Sequence, residues 1–188
     1  MQSSMRLKRA FEASLLLDVA KALNAAMALN KATTEKLGRV VQRTRERFAR
    51  AYAEYALHEV AKLNRLIEAV VNELGLAGLD ARGEEVRLLG ESFIKLTAQL
   101  HEVLDELARR VDVATLIKFT EVAEPLLKLV SLQAMAYAKV VEDYSSSPQA
   151  ARALRRAAKD LLHLAAKIRL MRAALRLKQK IARGRRKA

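Results

Sequence analysis

VRLLGESFIKLTAQLHEVLDELARRV, residues 86–111, is the stretch that decides the fold. Val86, Leu89, Phe93, Leu96, Leu100, Val103, Leu107 and Val111 recur in steps of three and four. Such steps put every apolar side chain on one face of a helix and leave the acids and bases on the other, the pattern of a bundle seam. A helix from about Asp80 to Val111 is predicted, with Asp80 as its cap.

The same periodicity extends both ways along the chain. Leu7, Phe11, Leu15, Val19, Leu23 and Met27 recur every four residues and predict a helix from Ser4 to about Asn30. Asn30 and the pair Thr33–Thr34 read as a break, with Thr34 as the next N-cap. A second helix from about Glu35 to Leu74 follows, with a break near residue 50, because forty residues of helix would reach about 60 Å. Gly75 reads as its C-cap. Asp112 predicts another N-cap. Glu124-Pro125 reads either as a helix start or as a kink in one continuous helix. Ser147-Pro148 opens the last helix, which runs to about Arg183 and a basic tail, Gly184–Ala188. No repeat and no credible strand pattern is present.

Composition agrees. The 188 residues include 6 Gly, 2 Pro, no Trp and no Cys, and 52% are hydrophobic. That is enough apolar material for a core built from helix formers. The missing cysteine removes disulfides, thiolate metal sites and cysteine nucleophiles. Charged residues at 30%, with few thermolabile side chains, point to a thermophilic source. The longest uncharged stretch, Leu129 to Ala138, is too short to span a bilayer. Glu12, Asp18 and Lys21 interrupt the apolar stretch after Arg6, Lys8 and Arg9, so a signal peptide is not expected.

Net charge is +14, and it is unevenly placed. Residues 1–50 hold 11 bases and 4 acids, residues 51–147 hold 10 and 16, and residues 148–188 hold 14 and 1. The reading is a basic N-terminal helical arm over 1–50, a bundle core over 51–147, and a basic C-terminal helix and tail over 148–188. Two rows of cations carry the functional expectation. Lys36, Arg39, Arg43, Arg47 and Arg50 form one, and Arg169, Arg172, Arg176, Lys180 and Arg183 the other. A helical row of cations can meet several phosphates at once, and each displaced counterion adds salt-sensitive affinity. Arginine predominates, and its planar fork suits phosphate oxygens. The competing reading is a solvated face, or pairing with the acidic middle of the same chain. In the last helix the apolar arc around the cations is wide enough to predict burial against another copy.

Base reading has little support, since the rows hold almost no Asn or Gln. Tyr52 and Tyr55 could stack on bases, but such tyrosines more often sit at the edge of a core. A helix-turn-helix around Leu74 to Val86 would open on Glu84 and Glu85, which repel phosphate. No zinc-finger or RNP motif occurs. For catalysis, His58, His101 and His163 fall on different helices. The pairs Glu54/His58 and His101/Asp105 have i,i+4 spacing common on any helix. No phosphate-binding loop, nucleophile elbow or dinucleotide fingerprint appears, and Ser145-Ser146-Ser147 reads as loop and cap. No enzyme activity, cofactor or metal is expected.

The Ala-rich helices, the absent cysteine, the run Arg39-Val40-Val41-Gln42-Arg43-Thr44-Arg45-Glu46-Arg47 and the Arg/Lys-rich last helix together resemble the α-helical DNA-wrapping coat proteins of filamentous archaeal viruses. The resemblance is one of overall character and transfers no individual residue. It implies helical subunits that wrap DNA and hold it in the A form. The expectation is therefore an all-α helical bundle with basic N- and C-terminal helices, assembling into a homo-oligomer or with a related subunit. It would coat duplex DNA without strong sequence preference, in a virion or an intracellular nucleoprotein. The rivals are an RNA-coating subunit of CRISPR small-subunit type, a membrane-surface protein and a coiled-coil scaffold with an acidic partner.

Overall fold

The structure, a computed structural model, describes the backbone of residues 2–45 and 47–185, with side chains for 9–45, 47 and 49–182. Every regular element among them is a helix: α1 (Gln2–Arg43), α2 (Arg47–Glu73), α3 (Glu85–Leu89), α4 (Glu91–Arg109), α5 (Val113–Tyr144) and α6 (Pro148–Arg185).

Residues Asn30–Thr34 do not break α1. The Thr33 and Thr34 hydroxyls donate back to the carbonyls of Leu29 and Asn30 at 3.1 and 2.9 Å. The hydroxyl is thereby satisfied inside the helix instead of capping the next one. Burial continues through Thr33, Leu37 and Val40, so packing holds α1 straight past the expected stop. Strict steps of four drift around a helix by about 40° each. The core therefore takes Val19 and Leu23 but leaves Phe11 62% exposed. α1 ends at Arg43 and α2 begins at Arg47.

Glycines mark the real boundaries further on. Gly75 (φ 67) closes α2, with its N–H bonded to the Asn72 carbonyl and that of Leu76 to the Val71 carbonyl. Those two bonds form a Schellman cap. Gly90 (φ 84) splits the expected 80–111 helix into α3 and α4 and leaves Val86 exposed. Asp80 caps nothing; it accepts from the Arg82 backbone N–H and guanidinium within a turn. The other N-cap expectations agree with the structure. Asp112 accepts the Thr115 N–H at 2.8 Å, and Ser147 accepts the Ala150 N–H at 3.3 Å. Pro125 sits inside a continuous α5.

The long helices alternate in direction: α1, α4 and α6 run one way, α2 and α5 the other. Short connections enforce this for neighbours. Thr33 beside His101 and Lys36 beside Asp105 fix α1 parallel to α4. The most extensive packing is the α5–α6 hairpin. There Ala134, Ala138, Ala150, Ala157, Ala158 and Ala165 are buried, and the Ser131 hydroxyl donates to the Ala158 carbonyl at 2.8 Å. The core has two clusters. One joins Leu37, Val40, Leu104, Leu107, Leu116 and Leu175; the other joins Val19, Ile67, Val70, Val141, Ala150 and Leu154. Both draw on α1 and α6, so the basic terminal helices belong to the bundle and are not arms appended to a separate middle.

Candidate nucleic-acid interface

Alternating helices bring three chain segments to one end of the bundle: the α1–α2 corner, the α4–α5 corner and the last turns of α6. Their proximity is visible in contacts. The Tyr52 ring meets Phe119 edge-on at 5.7 Å, Arg176 pairs with Glu121 at 2.6 Å, and Leu37, Ala49, Leu107 and Leu175 share a cluster. Between these segments lies a groove of about 660 Å³ walled by Tyr52, Val111, Val113, Leu116, Met171 and Leu175, with Asp112 and Lys178 beside it.

Each expected cation row divides into two groups. In the first, Lys36 is mostly covered and pairs with Asp105, and Arg39 lies 4.0 Å from the same carboxylate. The hydrogen bond from Lys36 holds the Asp105 carboxyl below its usual pKa. Arg50 pairs with Glu54 one turn on, at 3.0 Å. Arg43 and Arg47 are exposed and meet no carboxylate among the described residues. In the second row, Arg172 pairs with Glu124, a carboxylate only 6% exposed, which also accepts from Lys128 at 2.6 Å. The Lys128 hydrogen bond, followed by the charges of Arg172 and Arg169, lowers the Glu124 pKa. Arg176 is taken by Glu121. Arg169 and Lys180 are exposed and form no ion pair among the described residues, although the Arg169 charge acts on Glu124 at longer range, and the Arg183 side chain lies outside those residues.

Five of the ten expected contacts are thus engaged internally, by acids that the sequence had placed in the acidic middle. Three further exposed cations lie at the same end off the helical rows: Arg45, Arg109 and Lys178. Arg45 and Arg109 stand at helix ends, where a helical-arc argument does not see them. The run Arg109-Arg110 before the Asp112 cap was the available signal. Arg110 itself is held by Asp112 at 3.0 Å.

Neither tyrosine is available for base stacking. Tyr52 is committed to Phe119, and burial raises its pKa. Lys167 covers the Tyr55 ring at 5.2 Å and donates to its hydroxyl at 3.0 Å. The segment Leu74–Val86 is a loop followed by the start of a five-residue helix, with Glu84 gripped by Lys21 at 2.7 Å and by Arg87. That is too short for a recognition helix. His101 Nε2 lies 2.9 Å from Thr33 Oγ1, and burial and then the Lys36 charge lower its pKa. No group of three or more His, Asp or Glu side chains is placed to hold a metal among the described residues. No described helix is long and apolar enough to cross a membrane. What the arrangement offers chemically is a set of arginine and lysine donors without acceptors of their own. No protein-family model, curated protein or solved structure matches this chain.

Proposed function

We propose that this protein is a structural subunit that coats duplex DNA without strong sequence preference, gripping the phosphate backbone with the basic end of the bundle and assembling with further copies along it. The observation that carries this reading is the gathering of Arg43, Arg45, Arg47, Arg109, Lys178 and Lys180 at one end, all exposed and none in an ion pair with a carboxylate among the described residues; Arg109 acts on Asp105 only at longer range. Clustered cations without internal partners repel one another, and a polyanion relieves that repulsion. Gln42 and Gln179 are the glutamines beside them, and Tyr52 and Tyr55 are engaged elsewhere, which favours backbone contact over base reading. The net charge of +14 would keep free copies apart and lets DNA promote their assembly.

The test is DNA affinity against salt by fluorescence anisotropy on a short duplex. Four to six phosphate contacts give a slope of log affinity on log salt of about −4 to −5. Replacing Arg43, Arg47 and Lys180 by Ala should make that slope shallower by about 3. A slope near zero in the wild type, or one unchanged in the triple variant, refutes the reading.

A second reading has its own observation. Leu162, Leu170, Leu177 and Ile181 of α6 are 48–70% exposed, and Arg169, Arg176 and Lys180 lie beside them. An apolar stripe flanked by bases is the form of a membrane-surface helix. Flotation with anionic vesicles and no affinity for DNA would favour it.

A further inference from the structure

The core takes one side of α6, through Leu161, Ile168 and Leu175. The opposite side is left bare. There Leu162, Leu170, Leu177 and Ile181 are 48–70% exposed, and the exposed Ala166 and Ala173 lie between them. Ala166, Leu170, Ala173 and Leu177 follow steps of four, three and four, the spacing of a second packing seam on a helix that has already used its first. α5 extends the surface. The Arg155–Glu142 and Arg176–Glu121 pairs set the register of the hairpin, and two turns from the first pair Met135, 45% exposed, comes beside Leu162. Apolar surface of this extent marks an interaction site.

The alternation of large and small side chains selects the occupant. Antiparallel helices present their seams to each other in reversed order. Laid on its own copy about a two-fold axis level with Met171 and Arg172, the seam sets Leu170 against Ala173 and Leu177 against Ala166 of the other copy. Each leucine then enters the space over an alanine, which lets the axes approach to about 8 Å. A slip of one heptad either way would face Leu177 with Lys159, or Leu170 with Lys180, so one register is singled out. A lipid surface asks for no such alternation.

The flanks tolerate this arrangement. Arg169 of one copy comes beside Arg176 of the other, whose charge Glu121 already offsets. On the other flank Lys167 is engaged by Tyr55, and Ala174 and Ile181 carry no charge. The ends repel, since Lys180 faces His163 and the exposed Arg152, Arg156 and Lys159 approach the basic tail of the other copy. We propose that α6 pairs antiparallel with α6 of a second copy through Ala166, Leu170, Ala173 and Leu177. About 20 residues of each helix, a length of about 30 Å, take part. That covers roughly 600 Å² per copy, the low end for a specific interface, so the pairing is reversible. Because the seam lies in the last turns of α6, the pair joins two basic bundle ends into one surface. Its use on DNA rests on the coating reading above; the pairing itself does not.

Sedimentation equilibrium of the full chain without DNA is the test. At about 0.5 M salt the screening length is about 4 Å, and a dimer should form at roughly tens of micromolar. Lowering the salt should weaken it, the reverse of the trend for DNA, so the two readings fail separately. Leu170→Ala leaves alanine against alanine and should weaken pairing about tenfold. Ala173→Leu sets leucine against leucine and should weaken it as well. The double swap, Leu170→Ala with Ala173→Leu, restores one large and one small side chain at each contact and should return to within about threefold of wild type. Both positions are exposed, so circular dichroism should show the helical fold intact. A wild type that stays monomeric at every salt concentration, including one that floats with anionic vesicles instead, overturns the proposal. So does a stronger dimer in Ala173→Leu, the mark of unspecific stickiness, or a double swap no better than Leu170→Ala. The wild-type salt trend decides alone should a variant fail to fold.

Discussion

Arg169 and Arg172 lie three residues apart in the same expected row, yet the structure gives them opposite jobs. Arg172 is 22% exposed and holds Glu124, whose carboxylate is 6% exposed and has Lys128 as its second partner. Removing one partner of a buried ion pair costs about 3–5 kcal/mol when nothing else compensates. Lys128 remains as a partner, so Arg172→Ala should cost less than that, about 1–2 kcal/mol. For a chain of this size that is a fall in Tm of about 3–6 °C. Arg169 is exposed and makes no ion pair among the described residues, acting on Glu124 only through its charge at longer range, so Arg169→Ala should lower Tm by clearly less than Arg172→Ala. Thermal unfolding by circular dichroism at neutral pH and low salt measures both. Acid supplies a second check. The folded-state pKa of Glu124 is depressed, so its pairing stabilises the fold above the unfolded-state pKa and is lost as pH falls through the folded-state value. The gap between wild type and Arg172→Ala should therefore narrow on acidification. Equal losses for the two variants, or a gap that widens in acid, would show that Arg172 does not do its work through Glu124.

Two further outcomes follow from the internal pairing. Glu121→Gln releases Arg176 from its exposed carboxylate, so DNA affinity at low salt should rise a few-fold and the salt slope should steepen by about 0.9; anisotropy titration reads both, and weaker binding refutes the idea that Glu121 competes with phosphate. His101 has a depressed pKa because burial disfavours its charged form, so the unfolded chain binds that proton more readily. Stability should fall as pH drops from the ordinary histidine range towards the folded-state value, and His101→Gln, followed by urea unfolding across that window, should flatten the profile.

Local chemistry was readable from the sequence; long-range pairing was not. Asp112, Ser147-Pro148 and Gly75 act within four residues of themselves, and the structure uses each as its residue type predicts. Thr33 and Thr34 suggest a break in the sequence alone, because a threonine can cap a helix or bond back into it, and burial of Leu37 and Val40 decides which. Gly90 gives no sequence signal of its own, because the apolar steps run through it unbroken. The cation rows were legible as rows, but their neutralisation was not: Asp105 lies 69 residues from Lys36, and Glu121 lies 55 from Arg176. Only the fold shows which arginines remain for a partner.

The alanine-lined seam between α5 and α6 has a thermal consequence. Heat capacity on unfolding grows with newly wetted hydrocarbon, by about 0.45 cal/K/mol for each Å². A contact built from single methyl groups covers much less hydrocarbon than one of leucines, while bringing two backbones close enough for Ser131 to reach the Ala158 carbonyl. The alanine positions of this seam thus add less curvature to its free energy against temperature than leucines at the same positions would.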